Sequence, residues 1–501
     1  MKQSRRNFLR DSACGLTAAA FVSSLNRFGL VNAMVPQQAS DYKALICIFL
    51  SGGTDCNNMV VPLDTEFSAY AAVRGESGNP GTPPNLGLPQ ATFIPINAAS
   101  RQFGLHPNLS PEVANPVGVA PGLLGPWSQN KLAVLCNFGS LLQPTTKAQY
   151  QSNVNGAFRP YQLFSHSDQV AQQMTSISNQ VGQTGWGGRV SDLTGGLNGV
   201  VPLPMSISVA GTSLFVTGVT SRQLAIGTGT LASVLNLNWL NDGPASANPF
   251  TAGSSYRQLL GFDTDAALIK GASDTSNQAL NADAILNQPD PVLTSFPASN
   301  VPGFNTGIAN QLRQVAKLVS LGSKTVANGG LGFKRQIFFC SLGGFDTHTN
   351  ETSANPTVPN GAGGQGNLLT QLSQAMRAFF DEMVAQGNSN SVTQFTISDF
   401  GRTFQPSGTG SGTVGSDHAW GSHALILGGS VLGGTFYGTY PTLALNSPND
   451  DGGNRGRWIP TTSIEQYAAT LSAWYGLAPS DIPKVFPNLS KFPTQNLGFL
   501  S

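Results

Sequence analysis

The chain is 501 residues long, with 40% hydrophobic and only 10% charged residues, 58 glycines and a formal net charge of +1. That much apolar material allows a sizeable core and excludes wholesale disorder, while near-neutrality without a Lys/Arg run excludes a phosphate-backbone footprint and with it a nucleic-acid partner. A surface so poor in charge has to be covered by Ser, Thr, Asn, Gln and Gly, which suits a loop-rich extracytoplasmic protein.

At the start, Ser4-Arg5-Arg6-Asn7-Phe8-Leu9 carries the paired arginines and Phe-Leu step of a twin-arginine export signal. A soft apolar stretch over residues 13–22 and the small-residue site Val31-Asn32-Ala33 follow. A leader is therefore expected over residues 1–33, with the twin-arginine translocase as partner and the bacterial periplasm, or another exported location, as destination. No segment reaches the ~18–20 continuous apolar residues of a membrane helix, so no permanent span is expected.

Four continuously apolar runs, residues 44–50, 132–138, 336–342 and 392–397, read as buried parallel strands, each followed by a polar, glycine-bearing turn. Between the last two, Leu368, Leu372, Ala375, Phe379 and Met383 recur at three- and four-residue steps, which predicts a helix over 367–385 and a βαβ unit. A further helix is expected over 462–474. Residues 195–330 read as an insertion or cap, with short hairpin strands and patchy helical patterning over 264–286; residues 75–90, rich in Pro and Gly, read as loop. The fold class is thus α/β, a mostly parallel sheet flanked by helices, as a single domain over 34–501. Cys47, Cys136 and Cys340 lie in strand-like runs and read as buried thiols, Cys56 as a loop residue; no Cys-x-x-Cys spacing suggests a thiolate site.

Acids and histidines collect just beyond these strands. Asp55 follows the first, Asp346 and His348 the third, and Asp399 closes the fourth; Asp417, His418 and His423 come next in a glycine-rich loop. Carboxyl ends of strands in an open α/β sheet form the ligand crevice. Carboxylates converging there repel unless a cation or proton neutralises them. Oxygen and imidazole donors without thiolate suit one or two divalent ions: zinc, manganese or calcium. No Gly-x-Gly-x-x-Gly opens a helix after a strand, which speaks against an organic redox cofactor.

Gly52-Gly53-Thr54-Asp55, Asn58, Val60-Val61-Pro62, Gly343-Gly344-Phe345-Asp346-Thr347-His348, Ser398-Asp399-Phe400-Gly401-Arg402-Thr403 and Asp417-His418 with Trp420-Gly421 together resemble one exported bacterial family, domain of unknown function fifteen hundred and one. Leu105-His106-Pro107, Leu132-Ala133-Val134, Ser165-His166 and Gly185-Trp186 extend the resemblance over nearly the whole chain. That family looks like a branch of the alkaline phosphatase and sulfatase superfamily. The resemblance implies an alkaline phosphatase-like fold and an exported metal-dependent hydrolase of phosphate or sulfate esters, its substrate a small anionic ester or a polysaccharide. The alternative is a non-catalytic envelope binding or assembly protein that retains the fold. One ion would be bound by Asp346, His348 and either His418 or His423, the other by Asp55, Asp399 and a nucleophile. Ser165 or Ser167, opening a helix through Met174, suits that nucleophile, with Ser140 and Thr145 still open. Arg402 would pair with a phosphate or sulfate oxygen, or else form an internal salt bridge to Asp399. Phe400 stands where the superfamily usually has His, which makes a one-metal site an option.

Overall fold

The computed structural model describes residues 39–75, 86–98, 100–110, 122–235, 237, 252–262, 265–352, 364–408 and 414–501. The expected leader, residues 1–33, and most of the expected loop at 75–90 lie outside them. The strands, in chain order, are β1 (Lys43–Leu50), β2 (Val60–Pro62), β3 (Ile94–Ala98), β4 (Arg101–Leu105), β5 (Leu132–Gly139), β6 (Ser206–Ser208), β7 (Leu224–Ala225), β8 (Arg335–Leu342), β9 (Val392–Ser398), β10 (Ser422–Gly428), β11 (Phe436–Gly438) and β12 (Thr462–Ser463).

Nine of them form one sheet in the order β11-β5-β10-β9-β1-β8-β6-β7, with β12 also on β5. All pairings in it are parallel except the two made by β10. The continuous apolar runs explain its centre. Every residue of β5, β9 and β10 is buried, so both faces are covered, as a mostly parallel sheet requires. Helix Gly364–Ala385 buries Leu369, Leu372, Met376, Phe379 and Met383 at helical spacing. It packs on helix Gly307–Gly322, which also lies on β8, while helix Ile464–Tyr475 lies on β1 and β5. That last helix starts where Ser463 and Gln466 form a reciprocal capping box.

The segment expected as an insertion joins the sheet in part. Pro204-Met205-Ser206-Ile207-Ser208-Val209 contributes β6, which pairs in parallel with β7 and β8 rather than forming a hairpin. Leu214–Val216, within that segment of expected hairpin strands, is a single 3-10 turn. A small antiparallel sheet, β2-β4-β3, flanks the main one. Cys56, expected in a polar loop, is fully buried, and burial raises its thiol pKa together with those of Cys47, Cys136 and Cys340; all four are free. Among the described residues no helix is long and apolar enough to cross a membrane.

Topology decides where the chemistry falls. β8, β1 and β9 are parallel neighbours in register, Leu342 opposite Leu50 and Leu50 opposite Ser398, so the turns that follow all three leave one edge. Because β10 runs antiparallel to β9, the loop entering it at Ser422 arrives at the same edge.

Candidate metal centre

At that edge the turns are packed against one another almost without space. Gly52 has φ +119°, and a Cβ there would lie 2.3 Å from the Asp346 amide nitrogen; a Cβ on Gly415 would lie 2.3 Å from the Thr347 carbonyl. Only glycine permits both approaches. They hold the turn after β1, the turn after β8 and the loop before β10 in mutual contact.

Asp399, at the end of β9, is buried. Its Oδ1 accepts the Gly52 N–H at 3.0 Å, and its Oδ2 lies 2.7 Å from His166 Nδ1. Nδ1 therefore carries the proton and donates it to the carboxylate, which leaves the Nε2 lone pair facing the crevice. This is the carboxylate–histidine arrangement that orients a metal ligand. His166 is the first residue of helix His166–Thr175, and its Nε2 is buried without a hydrogen-bond partner, 3.4 Å from Asp346 Oδ1. His418 is oriented in the same way: Nδ1 lies 2.9 Å from the Phe164 carbonyl, so Nε2 again faces inward. That nitrogen is 3.6 Å from Asp346 Oδ1 and 3.0 Å from His348 Nε2, and His348 Nε2 is itself 3.2 Å from Asp346 Oδ1.

A carboxylate oxygen and imidazole lone pairs at such separations need a cation or a proton among them. Donors about 2.0–2.1 Å from a tetrahedral zinc are about 3.3 Å apart, in the middle of the observed range. Among the described residues two groups could hold an ion: His166, Asp346 and His418, or His348, Asp417 and His418. His418 is common to both and has one free lone pair, so it serves one ion at a time. Electrostatics fits the same picture. Burial pushes the Asp346 carboxyl up, but the Arg402 guanidinium and the nearby imidazoles outweigh it and leave it below the usual range. Burial first, then the nearby His166, Arg402 and His348, lower the His418 pKa below the usual range, outweighing the hydrogen bond to the Phe164 carbonyl.

The other expected residues are placed differently. Asp55, expected as a ligand, is fully buried with its Oδ2 2.7 Å from Arg74 Nη1, and it also caps the turn at Asn57. Asp399 is held away from the ion position by Gly52 and His166 and acts through the latter. His423 belongs to β10 rather than the loop. It sits at a register shift against β5, where its Nδ1 accepts the Asn137 N–H, and burial lowers it to about 4. Arg402 is fully buried. It donates to the carbonyls of Gly52, Gly53, Phe345 and Ser416 and to Asp346, so the salt bridge it forms is not to Asp399 and few donors remain for a substrate. Asp417 accepts the His418 N–H and faces Arg455 and Arg457. Ser165 is the N-cap of its helix, but its hydroxyl donates to Asp168 Oδ2 at 2.6 Å instead of capping. Phe400 forms a wall, its ring 4.8 Å from that of His166 and 4.7 Å from that of His418.

His166 was not among the expected ligands. The available signal was histidine scarcity: with five in the chain, one directly beside a proposed nucleophile carries weight. Replacing Asp399 by Asn should weaken metal binding about 10–100-fold by releasing His166. Competition with a chelator of known affinity measures this; unchanged affinity would show that the His166 orientation does not depend on Asp399.

Residues 325–451 match the family described as "Protein of unknown function (DUF1501)". The matched segment holds Asp346, His348, Asp399, Asp417 and His418, but not His166. No curated protein matches. Among solved structures, the chain is similar to Ps i-CgsB in complex with k-i-k-neocarrahexaose at 9% identity and a TM-score of 0.33, over 89% of this chain and 77% of that one. It is similar to a mutant of the alkaline phosphatase PafA at 11% identity and a TM-score of 0.27, over 73% and 64%. A third is the PsFucS1 sulfatase from Pseudoalteromonas sp., at 9% identity and a TM-score of 0.28, over 88% and 73%.

Proposed function

We propose that this chain, which carries the DUF1501 region over residues 325–451, is an exported hydrolase of phosphate or sulfate esters that works with one divalent ion. The observation that carries the reading is His166 Nε2, on a ring held through Nδ1 by Asp399, buried, without a hydrogen-bond partner and grouped with Asp346 and His418. A donor set rich in imidazole and poor in oxygen favours zinc over manganese and calcium. When bound, the ion supplies a Lewis acid for the ester's oxyanion. The chain's own residues do the rest. Asp346 and the histidines fix the position of that centre, Arg402 holds Asp346 in place, and Phe400 keeps one side apolar. Ser165, one residue before His166, is the nucleophile of this reading; Asp168, 2.6 Å from its hydroxyl, takes the proton as the bond to phosphorus or sulfur forms. The ester's own P–O or S–O bond breaks in that step, the alcohol oxygen leaving and taking a proton from solvent. Water then cleaves the seryl ester, releasing phosphate or sulfate and restoring the serine hydroxyl.

The test is turnover of aryl phosphates and aryl sulfates by natively exported protein supplied in turn with zinc, manganese and calcium. Hydrolysis should be measurable, and both Asp346→Ala and Ser165→Ala should reduce it at least about a hundredfold. A second reading, an envelope binding or assembly protein, is favoured by the commitment of Arg402 to the protein's own oxygens. It is the one that survives if the ion binds stoichiometrically but no ester turns over.

A further inference from the structure

With Arg402 occupied, the hydrolase reading still needs a side-chain cation, beside the ion, to receive the substrate's charge. The hairpin that follows β11 offers two. Asp450 and Trp458 pair as an antiparallel bridge, and the Asp450 carboxylate accepts backbone N–H groups of Asn446, Gly452 and Gly456, which fixes the turn between them. Arg455 and Arg457, two residues apart, both approach Asp417. Arg455 Nη1 lies 3.2 Å and Arg457 Nη2 3.9 Å from the same oxygen, Oδ2. Arg457 Nε donates to the carbonyl of His418 at 3.0 Å, and its guanidinium lies 4.5 Å from the centre of the Phe164 ring. Phe164 in turn provides the carbonyl that orients His418. Arg455 Nη2 donates to Ser407.

Two guanidiniums thus share one carboxylate oxygen beside a candidate ligand, with side chains 33% and 23% exposed, in contrast to the fully buried Arg402. Asp451 also lies near Arg457; burial first, then the neighbouring Asp450, raise its carboxyl above the usual range against the Gly453 N–H and Arg457. The fork of a guanidinium matches a tetrahedral oxyanion, and the stacking on Phe164 holds one fork flat at the rim. We propose that Arg455 and Arg457 form the recognition subsite for the tetrahedral oxyanion of the substrate, displacing Asp417 Oδ2 as it binds. The inference rests on the hydrolase reading and assigns the specificity for charge to this hairpin.

The test titrates the full-length protein, zinc-loaded and metal-free, with inorganic phosphate and with inorganic sulfate, following heat of binding. The wild type should bind at least one of the two, and the arm with the tighter binding identifies the oxyanion. Arg457→Gln and Arg455→Gln should each weaken that binding about tenfold or more in the metal-loaded protein, with metal content unchanged. Because Arg457 touches the His418 carbonyl, any loss of metal in Arg457→Gln leaves Arg455→Gln, which does not touch it, to decide. Oxyanion affinity equal to wild type in Arg455→Gln, or no binding of either oxyanion by the zinc-loaded wild type, overturns the subsite. The hydrolase reading itself fails separately, on absence of ester turnover by the wild type.

Discussion

Replacing Arg74 by Met should destabilise the protein by about 3–5 kcal/mol, seen as a lower urea midpoint, because a buried charge is left without its partner. Arg74 and Asp55 both have fully buried side chains, 2.7 Å apart, and Arg74 also donates to Asn58 and lies 3.9 Å from Glu351. A double variant, Arg74→Met with Asp55→Asn, should recover part of the loss; equal loss in both would mean that packing, not charge, dominates. Glu351 adds a pH dependence. Burial first, and then the negative charge of Asp55, push its carboxyl well above the usual range. The folded chain therefore keeps a proton that the unfolded chain releases near pH 4.5. This stabilisation is complete below that pH and is lost as pH rises toward the folded value. Glu351→Gln should lack that loss, so its stability relative to wild type should improve steadily above pH 4.5. A constant difference across the range would contradict the assignment. The triad matters to the site because Glu351 accepts from Thr347 and Ser416, which adjoin the turns that carry His348 and Asp417.

The second large effect concerns His418. His418→Ala should weaken metal binding by more than about a hundredfold, beyond the range of an orienting residue, because both groups that could hold an ion depend on its Nε2. Titration with cobalt(II), followed by its visible absorption, checks this. If Asp346, His166 and His348 together kept the ion at wild-type affinity, His418 would be a bystander.

How legible this was in the sequence differs from residue to residue. β1, β5, β8 and β9 were readable because a strand buried on both faces must be apolar throughout. β10 was not, since it begins with Ser422 and His423 directly after a glycine-rich loop, and only its pairing to β5 and β9 makes it a strand. Asp346, His348 and His418 could be gathered from their place at strand ends. The roles of Asp55 and Asp399 could not, because a carboxylate at the right edge is a ligand or a counterion according to what faces it. Arg74, 19 positions after Asp55, and His166, 233 before Asp399, decide the two cases. His418 and His423 are five positions apart, yet one faces the crevice and the other the sheet, because the strand begins between them.

The central claim, that one ion sits among His166, Asp346 and His418, is tested most directly by elemental analysis of the full-length protein. Wild type and His423→Ala should each contain about one equivalent of zinc or manganese, and His166→Ala should contain almost none. A full equivalent in His166→Ala, or an empty wild type, would contradict it.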